Sequence, residues 1–265
     1  MTYDNFKSDV LTELKKHFEG EASITIKSFI KNNGKKLDGI IISTNDSNIS
    51  PTIYLNPLYH RYLEGLPIKE IVREIIQINN SNKVYKGFDT NQFLDFDEAK
   101  NHIFFKLINY ERNKELLQDL PHMKFLDLAV VFGFFVESDN SDFASILIHN
   151  SHLNYWEITT DDLYKIALYN TPNLFSHKIS NLFDTVISLS EKISPGSLNE
   201  LDFSELDFEK TKSNNNFFIL TNKYGINGAS CILYRGLLKK IAKEKNTNLI
   251  VIPSSIHEGA TCFAI

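Results

Sequence analysis

Residues 23–43 contain a turn that leaves the backbone little choice. Ser23–Ile30 and Leu37–Ser43 are rich in β-branched and apolar residues, and N-N-G at Asn32–Gly34 stands between them. Asn-Gly takes up the positive φ angles of a tight hairpin turn at little steric cost. The segment therefore predicts a β-hairpin. Asn48–Leu55, N-I-S-P-T-I-Y-L, predicts a loop and a short strand. Pro51 cannot donate to a ladder, which places it at a strand start or an edge.

Helices flank this hairpin. Phe6, Val10, Leu14 and Phe18 recur every four residues beside Leu11, and Gly20 ends the run. Ile68, Ile71, Val72, Ile75 and Ile76 complete an i, i+3, i+4, i+7, i+8 stripe. Both patterns are those of amphipathic helices. In the middle of the chain, Phe93–Asn101 reads as a helix, and Ile103–Tyr110 and Phe125–Glu137 as strands. A helical turn at Lys114–Leu120 lies between the two strands. S-D-N-S-D at Ser138–Asp142 is a polar turn, and Ala144–His149 the returning strand. Thr159-Thr160-Asp161-Asp162 opens a helix as a capping box. A helix near Asn181–Lys192 precedes an acidic connection at 194–216. The chain then reads as strand Phe217–Thr221, helix Ala229–Glu244, strand Leu249–Ile252 and a last strand in Ala260–Ile265. No 20–50-residue period repeats, which removes solenoids.

Charge narrows the functional classes. The net charge is −5 with pI about 5.9. The basic patches are short, as at Lys239, Lys240, Lys243 and Lys245, so a nucleic-acid surface is disfavoured. No apolar run reaches the ~20 residues of a membrane helix. The N-terminus carries acids where a signal peptide needs a basic and then an apolar region. Two cysteines, Cys231 and Cys262, make a poor disulfide framework, so a reduced, cytoplasmic setting is expected.

Five stretches together resemble a bacterial family known only as a domain of unknown function. They are Lys31–Gly39 (K-N-N-G-K-K-L-D-G), Asn48–Pro57 (N-I-S-P-T-I-Y-L-N-P), Lys106–Asn113 (K-L-I-N-Y-E-R-N), Leu220–Ala229 (L-T-N-K-Y-G-I-N-G-A) and Ile252–Glu258 (I-P-S-S-I-H-E). The resemblance spans nearly the whole chain. It implies a bacterial protein of a kind often carried on mobile elements, and it supplies no reaction, cofactor or partner. Members of that family usually continue past P-S-S-I-H-E with an apolar strand, an acidic turn and a further helix. Here the sequence runs E-G-A-T-C-F-A-I, so that last element is expected to be lost or altered.

Five constellations offer chemistry. In L-I-V-I-P-S-S-I-H-E-G, Ser255, His257 and Glu258 are hydrolase residue types, with His257 as general base and Ser255 as nucleophile. The glycines of a G-x-S-x-G elbow are missing, and residues two apart on a strand project in parallel. H-E-x-x-H is also absent, since position 261 is Thr. The bland alternative is a strand end with a serine-stabilised turn. The His149/His152 pair offers two metal ligands without a third, so no metal is assigned. Asn109, Glu111, Arg112 and Asn113 follow an apolar strand, where they either contact a ligand or simply start a helix. Gly225–Ala229, G-I-N-G-A, lacks both nucleotide fingerprints and reads as a loop that starts a helix. Lys106 and Asp127 each interrupt an apolar strand and could pair across it.

These patterns predict an α+β fold. Residues 1–85 would form an N-terminal α+β lobe with a hairpin-based sheet. Residues 86–265 would form a larger mixed sheet covered by helices. The absence of a complete catalytic constellation, together with 20 Phe and 11 Tyr, favours a non-enzymatic, cytoplasmic protein-binding protein, an inhibitor or regulator with a protein partner and no cofactor. The alternatives are a hydrolase-like enzyme using Ser255, His257 and Glu258, or a small-ligand sensor. The binding residues expected are Asn109, Glu111, Arg112, Asn222, His257 and Glu258.

Overall fold

The computed structural model describes residues 2–44, 50–81, 90–136, 144–182, 184–185, 217–253, 255–257 and 259–263. The expected turn at 138–142, the acidic connection and most of the helix expected near 181–192 lie outside these residues.

Helix α1 (Tyr3–Phe18) starts where the Thr2 side chain accepts the Asn5 amide N–H. It buries Phe6, Val10 and Leu14 of the stripe read in the sequence, with Leu11 and Phe18 half-buried beside them. Strands β1 (Ala22–Lys31) and β2 (Lys35–Thr44) pair antiparallel from Ala22↔Thr44 to Lys31↔Lys35. Asn33 (φ 62°) and Gly34 (φ 68°) close the turn in the left-handed region. β3 (Thr52–Tyr54) follows Pro51 and pairs with the far side of β2, so the proline sits at the start of an edge strand. Helix α2 (Leu55–Leu63) runs straight on from β3, and α3 (Ile68–Ser81) follows. The three helices and the sheet share one core of Phe6, Val10, Leu14, Ile40, Leu55, Ile71 and Ile75, all fully buried. Each such side chain contributes about 2 kcal/mol of burial.

A second core begins after the two short helices α4 (Thr90–Leu94) and α5 (Phe96–Ala99). The single helix expected over 93–101 is broken at Asp95, whose carboxylate accepts the Asp97 N–H as a new N-cap. β4 (Ile103–Asn109) pairs along its length with β6 (Leu128–Val136). The other side of β6 is shared by β5 (His122–Phe125) and β7 (Ala144–Leu147). The strand expected over 125–137 is β6, which begins only at Leu128, after the end of β5 and a turn at Leu126 (φ 55°) and Asp127. A turn-and-helix segment at 111–117, ending in α6 (Lys114–Leu117), links β4 to β5.

Helices α7 (Asn150–Trp156) and α8 (Thr160–Leu174) cover this sheet. At the start of α8, Thr159 and Asp162 form the capping box read from the sequence. α8 also closes the outer edge of β4. Thr171 Oγ1 accepts the Phe105 N–H at 3.0 Å, and Asn170 Nδ2 donates to the Ile103 carbonyl at 3.1 Å. Trp156 is buried, and its Nε1–H reaches the Phe93 and Leu94 carbonyls.

The last sheet has the order β10 (Leu249–Pro253), β11 (Gly259–Phe263), β9 (Phe217–Asn222), β8 (His177–Asn181), all antiparallel. The helix expected over 229–244 is split. Gly228–Leu233 forms a 3-10 turn, Gly236 takes φ 76°, and only then does α9 (Leu237–Lys245) begin. Glycine permits that reversal where another residue would be strained. The chain is an α+β protein whose described residues form three antiparallel sheets packed with helices.

Candidate functional site

Two of the sequence stretches singled out above meet at one end of the last sheet. β9 ends in Thr221 and Asn222, the loop Lys223–Asn227 follows, and the turn after β10 folds onto it. Thr221 Oγ1 donates to the His257 carbonyl at 2.7 Å, and the Asn227 N–H donates to His257 Nδ1 at 3.1 Å. The Ala229 N–H reaches the Ile256 carbonyl at 3.3 Å. The close approach depends on Gly228, because a Cβ there would overlap Thr221 Oγ1, the His257 carbonyl oxygen and the Asn222 nitrogen. G-I-N-G-A is therefore the seat of the serine–histidine turn.

Within that turn the roles are set by hydrogen bonds. Ser255 Oγ accepts the backbone N–H of His257 at 3.0 Å, as a turn-stabilising serine does. His257 Nδ1 is an acceptor, so its proton sits on Nε2. The His257 side chain is exposed. Asn222 is buried and spends its amide locally: Nδ2 donates to the Ile226 carbonyl at 2.7 Å, and Oδ1 accepts the Tyr224 N–H at 3.0 Å. Glu258 lies outside the described residues.

The second expected cluster sits on a different sheet. Asn109 Oδ1 accepts the Arg112 N–H at 2.9 Å. Asn113 is 1% exposed and uses both ends of its amide, donating to the Asn109 carbonyl and accepting the Asn33 N–H of the hairpin tip, each at 2.7 Å. Glu111 pairs with Lys114 at the surface. This cluster thus joins the hairpin turn to the end of β4. Among the described residues, no hydrogen bond or ion pair links it to the His257 turn. The cross-strand Lys106–Asp127 pair considered above does not form. Lys106 stands opposite Val131, and Asp127 falls in the turn beyond the register, where its carbonyl accepts the Tyr110 N–H.

The histidine pair is committed to the protein. His149 Nδ1 lies 2.7 Å from Asp119 Oδ2, and His152 Nδ1 accepts the His149 backbone N–H at 3.0 Å. Burial against Phe93 and Trp156 lowers the pKa of His152, with His149 adding in the same direction. Among the described residues, no group of three or more His, Cys, Asp or Glu side chains is placed to hold a metal ion. Cys231 is a free, buried thiol whose pKa burial pushes up to about 11.

One polar corner went unread in the sequence. Asp38 on β2 accepts from Ser28 across the hairpin and from Lys7 of α1, and its backbone N–H donates to Asn56 at the start of α2. The Ser28 bond and Lys7 hold the Asp38 carboxyl below its usual range. Tyr3 packs over the same corner, its phenol pushed up to about 12 by burial and the Asp38 charge. Asp38 breaks an otherwise apolar strand, L-D-G-I-I-I, and that interruption was the signal available.

A family model described as a family of unknown function (DUF5688) matches residues 3–260. The chain belongs to that family. No match to a curated protein or to a solved structure was found. In this DUF5688 chain the stretches that carried the resemblance meet in pairs. Lys31–Gly39 touches Lys106–Asn113 through Asn33 and Asn113, and Asn48–Pro57 through Asp38 and Asn56. Leu220–Ala229 touches Ile252–Glu258 through Thr221, Asn227 and His257. Asparagine side chains and close backbone contacts make these joints.

Proposed function

We propose that the chain is a cytoplasmic, non-enzymatic protein-binding protein, an inhibitor or regulator, whose β10 edge receives an extended segment of its partner. The observation that carries this reading is the character of that edge. β10, L-I-V-I-P, ends its sheet, and Ile250 and Ile252 are 53% and 45% exposed on one face. It carries no charge. Proteins blunt exposed edges with lysines, prolines or covering elements, because an apolar edge templates pairing with another chain; the proline of β10, Pro253, stands only at its last position. Strand addition uses such an edge, backbone bonds giving affinity and alternate side chains specificity. α9, which leads into β10, bears Lys239, Lys240, Lys243 and Lys245, so a partner segment with acidic flanks fits best.

The hydrolase reading has less support. Ser255 Oγ is held by a backbone N–H rather than by the imidazole it would need as base.

The test is a quantitative pull-down from lysate of the encoding organism. Wild type is compared with Ile250→Lys/Ile252→Lys and with His257→Ala. A stoichiometric partner kept by His257→Ala and lost from the edge variant is expected. A partner that survives the edge variant, or no enriched partner at all, removes the reading.

A further inference from the structure

β4 carries one side chain that its surroundings leave unmatched. Ile103, Phe105 and Leu107 face the main core, so Lys106 faces the other side of the sheet. There it stands between Phe104 and Ile108 on its own strand and opposite Val131, all three buried. Its amine makes no hydrogen bond or ion pair with any described residue, and no described carboxylate bears on it. The charge that does bear on it is a second cation, Lys31. Burial pushes the Lys106 pKa down, and Lys31 adds to this. An ammonium largely withdrawn among apolar groups without a described partner is costly, and a like charge nearby raises the cost.

The neighbouring hairpin tip supplies the rest. Lys31 ends β1 at the surface, with its Nζ 4.8 Å from the Tyr54 ring centroid and 5.9 Å from that of Phe29. The next residue, Asn32, buries its side-chain oxygen without a hydrogen-bond partner. The tip is fixed against the end of β4 by the Asn33–Asn113 bond. Two cations and an unmatched amide thus border one seam, and neither lysine has an acidic partner there among the described residues. Lys7, at the Asp38 corner, has two.

We infer that the seam between the hairpin tip and β4 binds a small oxyanion, a phosphate or carboxylate group, with Lys106 at its floor and Lys31 at its mouth. The anion supplies the acceptors that both ammonium groups lack. It also replaces lysine–lysine repulsion with two attractions in a poorly solvated setting, where charge-assisted bonds are strong. Asn32, with its amide turned over, presents Nδ2 as a further donor.

The test is thermal unfolding in inorganic phosphate and in acetate, each against sodium chloride at matched ionic strength. It uses wild type, Lys106→Met and Lys31→Met. Phosphate or acetate should raise the wild-type midpoint by about 3 °C at a tenfold excess over Kd. The rise should vanish in Lys106→Met and shrink in Lys31→Met. Whichever anion acts identifies the ligand group. Lys106→Met should fold at least as well as wild type in chloride; should it fail to fold, a smaller rise in the surface variant Lys31→Met than in wild type still decides. Equal rises in wild type and the variants, or no rise with either anion, would overturn the site.

Discussion

β4 and β10 begin as the same kind of object. Each is an apolar strand at the end of an antiparallel sheet, and each is rich in isoleucine or phenylalanine. Their outer edges have been treated differently. α8 lies along β4, where Thr171 and Asn170 reach the edge amide and carbonyl that no strand takes up. Ile103 and Phe105 are fully buried. β10 has helix α9 before it and a serine–histidine turn after it, but Ile250 and Ile252 remain about half exposed. One edge has been made part of the interior and the other left at the surface. An uncovered apolar edge is a liability unless something pairs with it.

The contrast can be tested by attacking each edge's support. The largest effect should come from Gly228→Ala. The new methyl cannot fit between Thr221 and the His257 carbonyl, so the turn that joins β10 to β11 must lift away. A loss of about 3 kcal/mol or more is expected in urea unfolding. Hydrogen exchange should accelerate in β10 and β11 before β4. If β4 opens first, the two edges are not independent.

Thr171→Val comes next. It keeps the shape but leaves the buried Phe105 N–H without an acceptor, at a cost of about 2 kcal/mol in the same assay. A neutral result would mean that water or a shifted helix closes the β4 edge instead.

A smaller, pH-graded effect belongs to Lys106 on β4. Its folded pKa lies below the unfolded value of about 10.4. Below the folded pKa both states hold the proton, and the burial penalty is fully present. Between the two pKa values only the unfolded state stays protonated, so stability rises with pH. Above about 10.4 the penalty is gone. Lys106→Met lacks the penalty throughout. The stability gap between variant and wild type, measured by denaturant unfolding in chloride, should therefore narrow as pH climbs through that window. A constant gap would show that Lys106 titrates normally.

The smallest change in stability, under about 1 kcal/mol, is expected for Ile250→Lys/Ile252→Lys, because these side chains are already half in water. Circular dichroism melts check this. A large loss would mean that the β10 face is part of the core, and the edge would cease to be a docking surface.

The sequence disclosed those elements whose signal is local. The Asn33-Gly34 turn, the α1 and α3 stripes and the Thr159–Asp162 box all depend on neighbours within a few residues, and all stand as read. α2 was missed because Asn56-Pro57 looks like a stop, although proline is tolerated in a helix's first turn. The turn before β6 was missed because Leu126, an apolar residue in the left-handed region, resembles the start of a strand. The candidate site was less legible. Asn222 and His257 stand at one end of the last sheet, while Asn109 and Glu111 stand on another sheet. The use of Asn113 as a clasp for the hairpin tip depends on a residue 80 positions away. Lys106 was visible as an interruption, yet alternation alone could not distinguish a solvent-facing lysine from one turned into an apolar surface.

β6 is held on one side by a single partner and on the other by two short ones, β5 through Leu128–Val131 and β7 through Gly133–Val136. β5 is two residues away in sequence, so that pairing closes a minimal loop and can form within microseconds. The β4 pairing must first close a loop that holds the turn and α6, and the last sheet must close one that spans 182–216. The β5–β6 hairpin is thus the natural first foothold for the second core. Assembly there would proceed outward from one nine-residue strand, with the exposed edge of β10 among the last parts to be placed.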